Sequence, residues 1–554
     1  MNLAQKRIVV ALAAVIVFVL VALAIASLGG SDNEPVTAAD ITTSTAPPAS
    51  STSGPMGTNS TPSTTSTTTT SSTTTSTPAT STTTTSTTTT STTTTSTATT
   101  STTVPPAEDR PQIGFVSGES FLSSRSDPVD VYVANADGSG LANLTSGYGS
   151  GWQWAWSPDG SNIAFVSHRQ GAAQLYVRSL DEAEPSVVAD GPDPDQPLRW
   201  SPDGSQIAFV STQDGDSDIY VADVATRSVR NVSNDPWASS SPGWSPTGDY
   251  LAYTVRGENP ETPDANIYIV PASGRDPVNA TATTTAGPAG AWSPDGSRFM
   301  FVTNRDGNDE IYVADAGGRN PVRLTNSPAN DRDPTWSPNG SQIAFSSGLA
   351  TLSDGPSWQI VIPSRIYVMD SDGSNPHTVT DGSIDPDTDT LYSVAHADPI
   401  WSPDGSRIAF AVSVDGPGPH AGFFTAYVVN PDGNGSPVEV SNGGGAARLR
   451  WAPDGSRLAI STTGNFGIDA NTVIVAADGT GTPVELSRGV GSGFTGWSTY
   501  GTYLAYMNGG VAGPGDTVFV AAPDGTSPVD ITASLDGPAN SAAAWRPQPP
   551  GPVG

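Results

Sequence analysis

"WSPDGSQIAFVSTQDGDSDIYVAD", residues 200–223, is the stretch whose reading decides the fold. Trp200 closes a short strand, A. Ser201-Pro202-Asp203-Gly204 then turns the chain, with Pro suited to the second turn position and Gly to the positive φ that follows. "QIAFVS" is strand B, in which Ile207 and Phe209 share one face and Ala208 lets the neighbouring layer approach on the other. "TQDGDSD" closes a hairpin, "IYVADV" is strand C, and "VRNVS" around Val232 is strand D.

The same unit recurs along the chain. Its tryptophan stands at Trp156, Trp200, Trp244, Trp292, Trp336, Trp401, Trp451, Trp497 and Trp545, at spacings of 44, 44, 48, 44, 65, 50, 46 and 48 residues. A period in the forties with four strands per repeat predicts a β-propeller, one blade per repeat. Helical periodicity is absent after residue 110, so the expected class is all-β. Residues 113–145 supply strands B ("IGFVS"), C ("DVYVAN") and D ("LANLT") with no tryptophan strand before them, while "AAAWRP" around Trp545 is a lone strand A. Together they make one composite blade that closes the ring and removes its exposed strand edges. The count is nine blades; eight blades plus an irregular segment is the other arrangement the repeats allow.

Ahead of the propeller, residues 8–28 are 21 uncharged and almost wholly apolar residues, enough to cross a hydrocarbon core about 30 Å thick. Lys6 and Arg7 precede them and keep residues 1–7 in the cytoplasm. The segment reads as a single-pass anchor; Ala24-Ile25-Ala26 leaves a cleaved signal peptide as the alternative, and either way the rest is exported to the cell envelope or beyond. From Ser60 to Thr103 every residue is Ser or Thr except Pro62, Pro78, Ala79 and Ala98. Such a tract has nothing to bury, so residues 29–110 are expected to form a disordered stalk of the kind that carries O-linked glycans. The propeller then occupies 111–548, with a tail at 549–554.

The 554-residue chain has a net charge of −31, which argues against nucleic acid as a partner. Much of that acidity is turn chemistry, since 17 of the 54 acidic residues are Asp followed by Gly. Cysteine is absent, excluding disulfides, thiolate metal sites and a Cys nucleophile. Imidazole chemistry is restricted to His168, His377, His396 and His420.

The quoted repeat resembles the WD-like repeats of the TolB propeller family, and the resemblance covers about residues 112–547. Related repeats occur in the propellers of prolyl-oligopeptidase-type enzymes and of oligogalacturonate lyases. The resemblance implies the fold; the motif residues carry blade structure rather than activity. TolB proteins place a small α/β domain before a six-bladed propeller, whereas an anchor and stalk stand there in this chain. Thr247 and Asn339 replace the turn Asp, and "WSTYG" at 497–501 lacks the Pro, as suits a structural turn and not a catalytic carboxylate. A Gly-x-Ser-x-Gly nucleophile elbow is missing: "GYGSG" at 147–151 and "GVGSG" at 489–493 have the wrong spacing.

With strand A innermost, the D–A and B–C loops share one face of the ring and the A–B and C–D turns share the other. The lyase resemblance implies a metal held by several histidines around the channel. Here His396, in a D–A loop, and His420, in the next B–C loop, fall on one face with Asp385, Asp387 and Asp389, and these five are the candidate cation ligands. "DGDSD" at 214–218 lacks the later Gly and bidentate Glu of a calcium loop and reads as a turn. The insertions at 256–266, 348–364, 381–399 and 413–425 all fall in B–C and D–A loops. They make that face aromatic, with Tyr148, Trp237, Trp358, Tyr392 and Phe423 as ligand-binding candidates.

No catalytic residue and no cofactor is assigned. The expected function is a membrane-tethered extracytoplasmic module that binds an envelope protein, peptide or glycan. The alternative is a propeller enzyme acting on polysaccharide as a metal-assisted lyase or hydrolase. Against it stand the few histidines and the lack of lysine in the propeller, since a lyase needs a base and charge neutralisation.

Overall fold

The computed structural model describes residues 111–117, 129–182, 184–234, 236–256, 265–281, 290–349, 364–380, 393–415, 423–441, 446–462, 471–488, 493–508, 517–535 and 539–548. All lie in the second of the chain's two compact units, Thr100–Gly554. The expected anchor (8–28), the stalk (29–110) and the tail (549–554) lie outside the described residues.

Nine four-stranded antiparallel sheets follow one another among the described residues. Blade 1 is typical, with strands A Ser150–Trp156, B Asn162–Ser167, C Gln174–Ser179 and D Ser186–Asp190 paired in that order. Blades 2 to 8 repeat it, each strand A ending on the motif tryptophan; in blade 4 the strands A to D are Ala291–Trp292, Arg298–Thr303, Glu310–Asp315 and Val322–Arg323, and in blade 5 Ala329–Trp336, Gln342–Leu349, Arg365–Asp370 and His377–Thr378. Blade 9 joins the two ends of the propeller: Ala539–Trp545 is its strand A, and Gln112–Ser117, Asp130–Asn135 and Ala142–Asn143 are B, C and D. The fold is therefore an all-β propeller of nine blades with a composite closure, the larger of the two counts that the repeats allow.

Alternation along strand B explains why the blades stack. In blade 2, Ile207 and Phe209 join Trp200 in a core shared with Ala164, Val166, Leu175 and Val177 of blade 1. Ala208 and Val210, on the opposite face, join Leu251, Tyr253 and Val255 of blade 3. The bulky face of each blade thus fits the small-residue face of the one before, and every seam has its own core.

The tryptophan ties the seam. Trp200 Nε1 donates to the Ala155 carbonyl at 3.2 Å, the residue just before Trp156 in the previous blade. The same bond runs from Trp244 to Arg199, Trp336 to Ala291, Trp401 to Thr335, Trp451 to Ile400, and Trp497 to Arg450. Trp545 to Gly496 and Trp156 to Ala544 carry it through the composite blade, so among the described residues eight of the nine motif tryptophans make it, all but Trp292.

Candidate functional site

The two faces of the ring differ in chemistry. On the A–B/C–D face the turns satisfy themselves. Ser157 Oγ donates to Asp159 Oδ1 at 2.6 Å and accepts the Asn162 N–H at 2.9 Å, while Ser161 N–H and O–H bind the same carboxylate. Gly160 sits at φ 69° with its N–H on the Ser157 carbonyl. Equivalent bonds hold Asp203, Asp295 and Asp404 ionised well below the usual carboxylate range, to about 2 for Asp295 and Asp404. Asn339 makes the same bonds through its amide oxygen. These carboxylates are turn locks. Gln112 opens strand B of blade 9 and Trp545 closes its strand A, so the chain enters and leaves the propeller on this face.

The opposite face is built from D–A and B–C loops, and a buried corner recurs where strand D enters the D–A loop. Ser233 Oγ accepts the Ile219 N–H at 2.9 Å and donates to Asp218 at 2.6 Å, and Asn231 Nδ2 donates to the other Asp218 oxygen at 2.7 Å. Thr145 with Asp130 and Asn143, and Thr281 with Asn266, repeat it. In blade 4 the pair is larger: Thr325 Oγ1 and Arg323 Nη2 both reach Glu310 at 2.6 Å. Asp214 accepts from Asn231, so two carboxylates of "DGDSD" serve this corner, as the turn reading expects. In blade 4 Asp306 takes the Tyr312 hydroxyl, and burial, followed by that bond, pushes the phenol up to about 12.

Of the rim aromatics, Tyr148 closes over its own blade. Its ring lies 5.3 Å from Tyr176 and 6.1 Å from Phe165, its hydroxyl donates to Glu184 at 3.0 Å, and the Arg169 guanidinium covers it at 4.3 Å. Trp237, just before strand A of blade 3, keeps 37% of its surface in solvent. Trp358, Tyr392, Asp385, Asp387, Asp389 and His420 lie outside the described residues. His396 is in strand A of blade 6, Ser393–Trp401, opposite Val412, rather than in the preceding loop. Phe423 opens strand C of that blade opposite Val414. In both places the inserted residues extend strands: long hairpins pair their backbone groups before they turn. Among the described residues no three His, Cys, Asp or Glu side chains are grouped so as to hold a metal ion. Nor is any helix there long and apolar enough to cross a membrane.

Sequence reasoning passed over the inner strands. The registers of blades 3, 5 and 6 break between Ser240/Gly243, Arg332/Thr335 and Ala397/Ile400. Each break contains a proline (Pro242, Pro334, Pro399), which has no N–H to give the ladder. The preceding residues Ser241, Asp333 and Asp398 take φ of 51–55°, turning their side chains out of register. Asp398 reaches water, yet it is hemmed in by protein. Poor hydration first, and the Asp333 charge second, raise its pKa. The repeated "DPTW" and "DPIW" at 333–336 and 398–401 were the available signal.

A nine-bladed ring with riveted seams, one self-satisfied face and one elaborated face defines a β-propeller scaffold whose motif is structural. The family model that matches it is the TolB β-propeller domain, over residues 180–287 and 278–353. Over those residues the blades are thus TolB-like propeller repeats. No curated protein matches the chain. Among solved structures, TolB from Acinetobacter baumannii is similar at 21% identity, over 48% of this chain and 62% of that one, with a TM-score of 0.28. The chain thus spans less than two thirds of that relative. A eukaryotic initiation factor aligns at 13% identity over 79% of this chain and 99% of its own, TM-score 0.50, a likeness of fold alone. An oligogalacturonate lyase in complex with manganese aligns at 16% identity over 59% of this chain and 88% of its own, TM-score 0.34.

Proposed function

We propose that this chain is a membrane-tethered extracytoplasmic propeller whose B–C/D–A face binds an envelope protein, peptide or glycan. The carrying observation is the asymmetry of the ring. The repeat's turn carboxylates are consumed by their own serines on one face, and the insertions and the solvent-exposed Trp237 fall on the other. Because both ends of the propeller leave from the turn face, an N-terminal tether pulls on the side away from the loops. Loops on a rigid scaffold are the usual seat of recognition.

The test is a pull-down from envelope fractions and a glycan array with the full chain, its Trp237→Ala variant and, as a control on the turn face, Asp454→Ala. Binding that weakens only with Trp237→Ala supports the reading. Binding lost equally with Asp454→Ala, or no binding by any fraction or glycan, overturns it. A second reading, a polysaccharide-cleaving propeller, draws on Asp333 and Asp398: two carboxylates on neighbouring inner strands, one with a raised pKa, are the pairing acid–base chemistry uses. Turnover of a glycan substrate that disappears in Asp398→Asn would favour it.

A further inference from the structure

The B–C hairpin of blade 4, residues 304–309, is pinned to both neighbouring blades. Toward blade 3, Arg305 Nη2 donates to the Ala280 carbonyl at 3.0 Å and also to that of Thr281. Toward blade 5, every bond runs to the few residues around Asp331. Asn308 Nδ2 donates to the Ser327 carbonyl at 3.0 Å and to that of Ala329. The Asp309 N–H donates to Asn330 Oδ1 at 3.0 Å, the Asp331 N–H donates to the Asp309 carbonyl at 2.8 Å, and Arg332 pairs with the Asp309 carboxylate.

At the centre of this clasp the Asp331 side chain is 2% exposed, and its Oδ1 has no hydrogen-bond partner among the described residues. Its Oδ2 accepts from Ser327 at 3.3 Å. Blade 3 makes the same seam bond without a charge: Ser239, also five residues before its tryptophan and fully buried, donates its N–H to the Ser217 carbonyl at 2.6 Å. The fold therefore does not require a carboxylate at this place.

We propose that Asp331 is a proton-operated latch: protonated, it closes the blade 4–blade 5 clasp, and ionised, it loosens the 304–309 hairpin on the loop face. The charges around it leave no other counterion. From strand C of blade 4 comes Glu310, itself 0% exposed and held by Arg323 and Thr325; from the B–C loop come Asp306, bound to Tyr312 and Arg323, and Asp309, bound to Arg332. Its own strand adds Arg332 and Asp333, strand B of blade 5 offers the uncharged Ser346 and Ser347, and blade 6 brings Asp398 beside Asp333. Arg323 and Arg332 are engaged by other carboxylates, and Arg305 of the same hairpin is committed to the Ala280 and Thr281 carbonyls of blade 3, so ionisation would leave a buried anion with one unsatisfied oxygen beside Glu310. Burial, and then the Glu310 charge, raise the Asp331 pKa, outweighing the hydrogen bonds from Ser347, Thr325 and Ser327 that favour the ionised form. The latch therefore holds below the ordinary carboxylate range and weakens as pH rises through the raised value. It operates whatever the loop face binds.

The test is hydrogen exchange of the full chain read by mass spectrometry from pH 4.5 to 8, corrected for intrinsic rates, for wild type, Asp331→Asn and Asp331→Ser. In wild type, opening of 304–309 and 329–332 should increase with pH by up to about tenfold per unit across the window, then level off. Both variants should be flat, with D331S as the substitution that blade 3 already tolerates. A flat wild-type profile, or an unchanged slope in a folded variant, would overturn the latch. So would restoration of neutral-pH protection by added calcium or sodium, which would make the occupant a cation rather than a proton.

Discussion

Trp156→Phe tests the claim that the motif tryptophan is a seam rivet. Trp156 is 8% exposed, packs against Val116, Val131, Ile163 and Phe165, and donates to the Ala544 carbonyl at 3.2 Å. Phenylalanine keeps a ring but loses the donor and part of the indole. The lost bond contributes about 1 kcal/mol, and the vacated volume adds a similar amount, so about 2 kcal/mol is expected. Trp401→Phe removes the same bond, to Thr335, with the same burial, at a seam where the chain runs on from blade to blade. Urea denaturation should show a comparable loss for both. They should differ in where the loss appears. Ala544 lies in the strand that closes the ring, held by pairing with Ile113–Ser117, by Trp545 on Gly496 and by Arg546 on Gly160 and Gln112. In Trp156→Phe, exchange and proteolysis of Ala539–Trp545 should therefore rise by about thirtyfold, 2 kcal/mol at about 1.4 kcal/mol per decade. In Trp401→Phe that strand should be unchanged. Equal release of the strand in both variants, or in neither, would refute the reasoning.

Gly114→Ala would set a methyl 2.5 Å from Trp154 and 3.1 Å from Trp156, whereas at Gly243 a methyl meets nothing. Denaturation should show a loss of about 1–3 kcal/mol for the first and little change or a slight gain for the second. Glu310→Ala strands Arg323 and Thr325 and should lose about 2–3 kcal/mol in the same assay, less than a fully buried pair because the Arg323 side chain is 28% exposed. The turn carboxylates Asp295 and Asp404 are held at about 2, so their stabilisation is present above the ordinary carboxylate value and lost as pH falls toward 2. Thermal melts of Asp404→Asn should match wild type at pH 7, as Asn339 makes the same bonds, and fall less steeply than wild type between pH 4 and pH 2.

What the sequence made legible was whatever repeats. Trp, Ser-Pro-Asp-Gly and the alternating strand B recur because each seam needs the same bulky and small faces, so period and residue type sufficed for the propeller and its composite closure, and the structure decided nine blades over eight. Positions where the local pattern was a poor guide are those where hairpins lengthen. His396 and Phe423 read as loop because polar and glycine-rich residues surround them, yet pairing across the hairpin carries both into strands. Tyr148 shows a different limit. Its exposure depends on Arg169, Tyr176 and Glu184, which come from other strands and loops of the blade and cannot be read from its own neighbours.

Repetition also supplies an internal control that a single-copy fold lacks. When nine blades solve one packing problem, a residue that the fold needs should reappear, in kind, at the equivalent place. The turn aspartates pass that comparison: Asn339 can stand in for one because the bonds, not the charge, are what the turn uses. Glu310 passes it too, since its longer side chain is matched by Arg323 where Asp218 is matched by Asn231. Asp331 does not. The seam bond it makes is made in blade 3 by Ser239, and no cationic side chain accompanies the added carboxylate, whose Oδ1 has no hydrogen-bond partner among the described residues. Asp333 and Asp398 likewise occupy the bulge that Ser241 fills without charge. Asp331, Asp333 and Asp398 are thus three carboxylates beyond what the blade requires, on two adjacent inner strands of blades 5 and 6, where the repeat is also most interrupted.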